Sequence, residues 1–148
     1  MSTPLLLLRL DPTHLPLARV LFALMVEVFD EGPATPLGDA WLHRLLSRPD
    51  FFAIAALQDG QPVGGITGHA LPMTRDESTE LFIYDLAVHP AHQRRGIGRA
   101  LVDALRREAA ANGIRVAFVP ADLEDDHALA FYRAIGGAES PVRFFTFE

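Results

Sequence analysis

The stretch that decides the fold runs from Asp85 to Arg99 and reads Asp85-Leu-Ala-Val-His-Pro-Ala-His-Gln-Arg-Arg-Gly-Ile-Gly-Arg99. It sets an apolar strand end (Leu86, Ala87, Val88), a proline that stops the strand, a turn with two glycines and a helix N-terminus in immediate succession. Such a junction is an anion site. The first N–H groups of a helix lack intrahelical partners, and the helix dipole adds positive potential. Gly96 and Gly98 leave no side chain in the way of a pyrophosphate, and Arg94, Arg95 and Arg99 add charge-assisted contacts. A P-loop is excluded because the chain has no lysine, and the three-glycine dinucleotide fingerprint is absent. On the short pattern alone, a solvated basic turn opening an ordinary helix is the better reading.

Outward from this junction, Leu81 to Val88 is the most strand-like segment of the chain, and Gly96 to Ala111 reads as a helix closed by Asn112-Gly113. Upstream come a strand Leu5–Leu10, a helix Leu15–Phe29, a Gly/Pro-rich loop 30–38 and a short helix from Asp39. A hairpin follows, Phe51–Leu57 and Pro62–Leu71, turning at Gln58-Asp59-Gly60-Gln61. Downstream, Val116–Val119 is a short buried strand, Asp125–Ile135 a helix ended by Gly136-Gly137, and Val142–Phe147 a final strand. The order β, α, α, β, β, β, α, β, α, β predicts an α+β fold with a mixed sheet and helices on both faces.

The 148 residues predict a single domain, 1–148. With no Cys and no Lys, a cysteinyl acyl intermediate, a lysine Schiff base and a Cys-based zinc site are excluded. His89 and His92 lack a third ligand, so no metal is expected. A net charge of −6 argues against a nucleic-acid partner and suits a cationic one. Leu5-Leu6-Leu7-Leu8 is too short for a membrane span and has no basic segment before it, which predicts a cytoplasmic protein without membrane contact.

Gln93, Gly96 and Gly98, following Leu86-Ala87-Val88 and Pro90, together with Ala128-Leu-Ala-Phe131-Tyr132 before Gly136, resemble the two ordered motifs of the GNAT superfamily of N-acetyltransferases. The resemblance implies a mostly antiparallel sheet splayed into a V. It implies acetyl-CoA as cosubstrate, its phosphates on Gln93, Arg94, Arg95, Gly96, Ile97, Gly98 and Arg99 and its pantetheine arm on Leu86, Ala87 and Val88. Ile83-Tyr84-Asp85-Leu86-Ala87-Val88, Ala121-Asp122-Leu123-Glu124-Asp125-Asp126 and Phe51–Leu57 are further similar to class I aminoglycoside (gentamicin) 3-N-acetyltransferases. Pro120, His127 and the shorter 30–38 loop depart from that pattern.

A carboxylate within an apolar strand wants a reason, because uncompensated burial costs several kcal/mol. The resemblance makes Asp85 the general base and Tyr132 the acid that reprotonates the leaving thiolate. A solvent-facing Asp85 and a core Tyr132 are the structural alternatives. Asp122, Glu124, Asp125 and Asp126, with Glu31 and Asp30 across the cleft, are candidates for binding an aminoglycoside's ammonium groups, though Asp122 and Asp126 also suit helix capping. Acetylation of another amine (a polyamine, an amino-acid derivative or a protein N-terminus) and a non-catalytic CoA-binding regulatory module are the competing functions. The aromatic final strand hints at a homodimer.

Overall fold

A computed structural model describes residues 3–148. Its elements are β1 (Leu6–Arg9), α1 (Leu15–Phe29), α2 (Asp39–Ser47), β2 (Phe51–Gln58), β3 (Gln61–Pro72), β4 (Thr79–Val88), α3 (Ile97–Ala111), β5 (Val116–Phe118) and α4 (Asp126–Ala134). The strands form one sheet in the order β1-β2-β3-β4-β5. The first four are antiparallel to their neighbours, and β5 joins β4 in parallel. This is the mixed sheet that the sequence predicts.

Helices cover both faces. Phe52, Ile54, Ile66, Leu81 and Ile83 meet Ile97, Leu101 and Leu105 of α3 on one side. Phe51, Ala53 and Ala55 meet Leu21 of α1 and Leu42 of α2 on the other. β2 is buried along both faces, which is why it reads as a continuous apolar run rather than an alternation. The hairpin turn falls at Asp59 and Gly60, both at positive φ (52° and 75°), as a two-residue turn matched to strand twist requires. By length and composition Pro12–Phe29 passes for a membrane span, but Ala18, Leu21, Leu24 and Met25 are buried in the core. The segment is the apolar helix of a packed layer.

Two expectations fail. Val142–Phe147 is not a strand: it pairs with no other segment among the described residues and is solvent-exposed throughout. β5 is an edge strand with Val116 and Phe118 exposed, not a buried one. The two corrections share a cause. An aromatic run has strand propensity without specifying its partner, and β5 is left open because nothing among the described residues pairs with its outer edge. Elsewhere the boundaries move by one or two residues.

Gly65 explains how closely α1 approaches the sheet. A Cβ there would lie 2.7 Å from Leu21 Cδ2 and 3.0 Å from Leu21 Cγ, and Leu21 is fully enclosed. Gly65→Ala should therefore overpack the core and lower stability by about 1–3 kcal/mol in urea unfolding. Pairing it with Leu21→Ala should recover part of that overpacking loss, so that the double variant is more stable than the sum of the two single effects.

Candidate active site

β4 and β5 pair only from Glu80↔Val116 to Phe82↔Phe118. Beyond that point β4 continues to Val88 with no neighbouring strand on its β5 side, so the strands part and the segment from Ile83 leaves N–H and C=O groups along one edge without a strand partner, Val88 O being taken by Gln93. Unpaired backbone groups need partners, and an amide-bearing chain laid along this edge would supply them.

On its other side, β4 pairs with β3 through an irregularity. Thr67 lies opposite Asp85 and Gly68 opposite Ile83, which leaves Tyr84 as the extra residue of a bulge. An extra residue inverts the alternation that follows it. Leu81 and Ile83 lie in the α3 core, and after the bulge Leu86 and Val88 pack against the same core while Ala87 joins the α1/α2 core. Simple alternation from Ile83 would have turned Asp85 towards α3. The bulge turns it, with Ala87, to the α1/α2 face.

There Asp85 meets Thr67, whose hydroxyl donates to Asp85 Oδ2 at 2.6 Å; the Asp85 N–H donates back to Thr67 Oγ1 at 3.2 Å. Thr67 is the one buried polar residue among those described. The pair holds a half-buried carboxylate in one orientation and leaves it acceptor capacity. No sequence signal singled out Thr67.

Beside Asp85, aromatic rings form a row on the same face. Phe51 lies 5.1 Å from His69, His69 6.1 Å from Tyr84, Tyr84 5.4 Å from Phe82, and Phe82 stacks on Phe118 at 5.0 Å. The row runs from under the helices to the exposed Tyr84 and Phe118. Sequence analysis missed it because these residues come together only through strand register and the bulge. Glu80, ion-paired with Arg75, lies at the same end of β4.

At the end of β4, Gln93 Nε2 donates to Val88 O at 3.0 Å and ties the turn to the strand. Arg94 (φ 63°) and Gly96 (φ 79°) are both left-handed, and Gly96 is the N-cap of α3. The backbone N–H groups of residues 94–99 donate to no backbone acceptor among the described residues. Arg94, Arg95 and Arg99 are exposed, and the buried His92 Nδ1 also lacks a partner there. This set fits a phosphate group. Gly98 has a second use: a Cβ on it would come within 3.3 Å of the Phe131 ring, so the small residue lets α4 sit against the first turn of α3.

That contact brings the 131–132 segment to the turn. Tyr132 is half-buried beside Phe131, with ring centroids 5.1 Å apart. Burial, and secondarily the charge of Asp125, raises the phenol above its usual value near 10. Asp125 Oδ1 accepts from Ala128 N at 3.0 Å and caps α4. Asp122, Glu124, Asp126 and Glu31 are exposed and form no ion pair among the described residues. Capping thus falls to Asp125, not to Asp122 or Asp126. No cluster of three or more His, Asp or Glu suited to a metal occurs among the described residues.

Comparison with known proteins follows the same lines. The acetyltransferase (GNAT) family model matches residues 18–136. The [ribosomal protein bS18]-alanine N-acetyltransferase of Escherichia coli K12 is 30% identical over 74 residues, 50% of this chain and 50% of that protein. The chain spans about half the length of the curated relatives it matches. Among solved structures, an aminoglycoside acetyltransferase, meta-AAC0020, from an uncultured soil metagenomic sample, in complex with sisomicin, superimposes with a TM-score of 0.93 at 34% identity, covering 97% of this chain and 95% of that one. A second soil aminoglycoside acetyltransferase, HMB0005, gives 0.91 at 36% identity over 99% of both chains.

The raised phenol is directly measurable. In a Tyr84→Phe variant, tyrosinate absorbance should report Tyr132 alone and develop above pH 10. Because the folded state holds this proton more tightly, stability is unaffected below about pH 10 and declines as pH rises through that point. Tyr132→Phe should remove both the absorbance and its share of the decline.

Proposed function

The chain belongs to the GNAT acetyltransferase family, and from that premise we propose that it transfers acetyl from acetyl-CoA directly to an amino group of an aminoglycoside. One observation carries this: the Asp85–Thr67 pair stands on a strand edge that lacks a neighbour and leads into an open helix N-terminus. The full-length likeness to two aminoglycoside acetyltransferases supports the acceptor class.

The N–H groups of residues 94–99, with Arg94, Arg95 and Arg99, would hold the CoA pyrophosphate. The open edge at Leu86, Ala87 and Val88 would pair with the pantetheine arm and supply an N–H to the thioester oxygen as negative charge develops there. Asp85 takes a proton from the acceptor ammonium, directly or through water. The amine then forms the C–N bond as the C–S bond breaks, Tyr132 donates its proton to the departing thiolate, and the remaining surplus proton on the nitrogen passes through water to restore the phenol. The phenol carries its proton at neutral pH and so has one to donate, and burial makes it a weaker acid than free tyrosine. Much of the acceleration comes from holding amine and thioester together.

The acceptor would lie on the aromatic row at Tyr84, Phe82 and Phe118, where cations are attracted to ring faces. Glu31, Asp122, Glu124 and Asp126 would receive its ammonium groups, and 3-N is the position that the sequence resemblance favours. Asp125 contributes its charge while capping α4. A protein N-terminal amine is the second candidate acceptor, favoured by the partial likeness to the bS18-alanine enzyme.

CoA thiol release separates these acceptors. Gentamicin-type aminoglycosides should give turnover that an alanyl peptide does not match, and failure of every aminoglycoside would remove the acceptor assignment. Asp85→Asn should lower kcat by 10²-fold or more. Thr67→Val should lower kcat about tenfold with KM little changed, because it loses one hydrogen bond that orients the base. Full kcat in Tyr132→Phe would take that residue out of the proton transfer.

A further inference from the structure

We propose that His69 is a specificity-determining residue of the acceptor site, its ring nitrogens hydrogen-bonding an amino or hydroxyl group of the aminoglycoside next to the amine that Asp85 deprotonates. The assignment rests on the acetyl-transfer reading above and deepens it on the acceptor side.

Strand register places the residue. Along β3, Thr67 lies opposite Ala53 and His69 opposite Phe51, with no irregularity between the two pairs. Ala53 and Phe51 both belong to the α1/α2 core. Thr67 and His69 therefore project from one face of the sheet, about 7 Å apart along the strand. Thr67 holds the Asp85 carboxylate on that face. His69 thus stands one side-chain row away from the base, within reach of the same bound molecule but not at its reacting nitrogen.

The same register makes His69 the one polar ring of a ladder. Phe51, His69, Phe82 and Phe118 are successive cross-strand partners over β2, β3, β4 and β5. Tyr84, the bulge residue, is set edge-on to His69 at 83°. A phenyl ring at residue 69 would fill the ladder without desolvating any polar atom, whereas an imidazole brings two nitrogens that need partners, one donor and one acceptor in the neutral ring. The imidazoles that form hydrogen bonds among the described residues are those of His14, His43 and His89, and His69 forms none. Its nitrogens are not sealed in the core either, since the buried side-chain atom left without a partner among those residues is His92 Nδ1. The half-buried ring has Phe51 on its enclosed side and the exposed Tyr84 on the other. It opens towards the part of the row where the acceptor is placed. The Asp50 carboxylate nearby is taken by Arg48 Nε and Nη2 at 3.0 Å each, so the imidazole is not there to serve it.

This contact does what the rest of the acceptor site does not. Ring faces attract any cation, and exposed carboxylates receive any ammonium group. A held imidazole distinguishes acceptors by whether they present a hydrogen-bonding group at one point, because an analogue lacking that group leaves its nitrogens desolvated and unpaired.

Steady-state CoA thiol release with gentamicin reads the effect. His69→Phe, which keeps a ring in the ladder, should raise KM for gentamicin about tenfold through the loss of one hydrogen bond. KM for acetyl-CoA should not move, and the change should fall on KM rather than on kcat, the reverse of the split expected of Thr67→Val. Independently of any variant's folding, the imidazole ¹⁵N signals of His69 in the wild-type protein, assigned through its own Cβ, should shift when gentamicin is added to the CoA complex. A gentamicin KM less than about threefold above wild type in His69→Phe, an equal rise in both KM values, or His69 signals unmoved by gentamicin would each overturn the proposal, while turnover itself leaves the acetyl-transfer reading standing. Absence of turnover with every aminoglycoside would overturn both.

Discussion

The backbone groups that β4 leaves unpaired after Phe82 are the constraint around which the rest of the structure is arranged. Sheets close their ladders because an unpaired N–H or C=O is costly once water is displaced. Here the ladder with β5 stops after three residue pairs while β4 runs on for six more residues. The edge stays open because β5 ends at Phe118 and Pro120, which has no N–H to donate, follows shortly after. The gap is therefore a consequence of where one strand stops. The open edge leads directly into the turn at residues 93–98.

That turn and the carboxylate are positioned by different devices acting on the same strand. Gln93 clamps the turn to the last carbonyl of β4, at Val88. The bulge at Tyr84 decides which face the residues before Val88 present. Because both act within five residues of one strand, the Asp85 carboxylate and the turn keep a fixed relation that no loop has to maintain. Gly98 then allows Phe131 against α3, with the half-buried Tyr132 beside it. Asp85 and Tyr132 sit in different surroundings: the carboxylate is half exposed with lone pairs to spare, while the phenol is partly desolvated and its pKa raised.

The parts legible in the sequence were those fixed by neighbouring residues. α1 is read correctly at both ends because Pro16 and the apolar periodicity are local, and the α3 start is announced by Gly96. The turn before α3 was legible for the same reason. The orientation of Asp85 was not, because its bulge carries no glycine and depends on register against β3, eighteen residues away. Thr67 and the row through His69, Tyr84, Phe82 and Phe118 were hidden likewise: each belongs to a different strand or to the far side of a register shift.

Val142–Phe147 is the instructive failure. Its composition specifies a strand as strongly as that of β4 does, yet within one molecule it is left in water. Propensity measures how well residues suit a pleated, half-buried surface and says nothing about which chain provides that surface. An exposed aromatic run and an uncovered strand edge therefore stand in one chain without being joined by its own fold, because a suited composition and a free ladder do not by themselves specify a register.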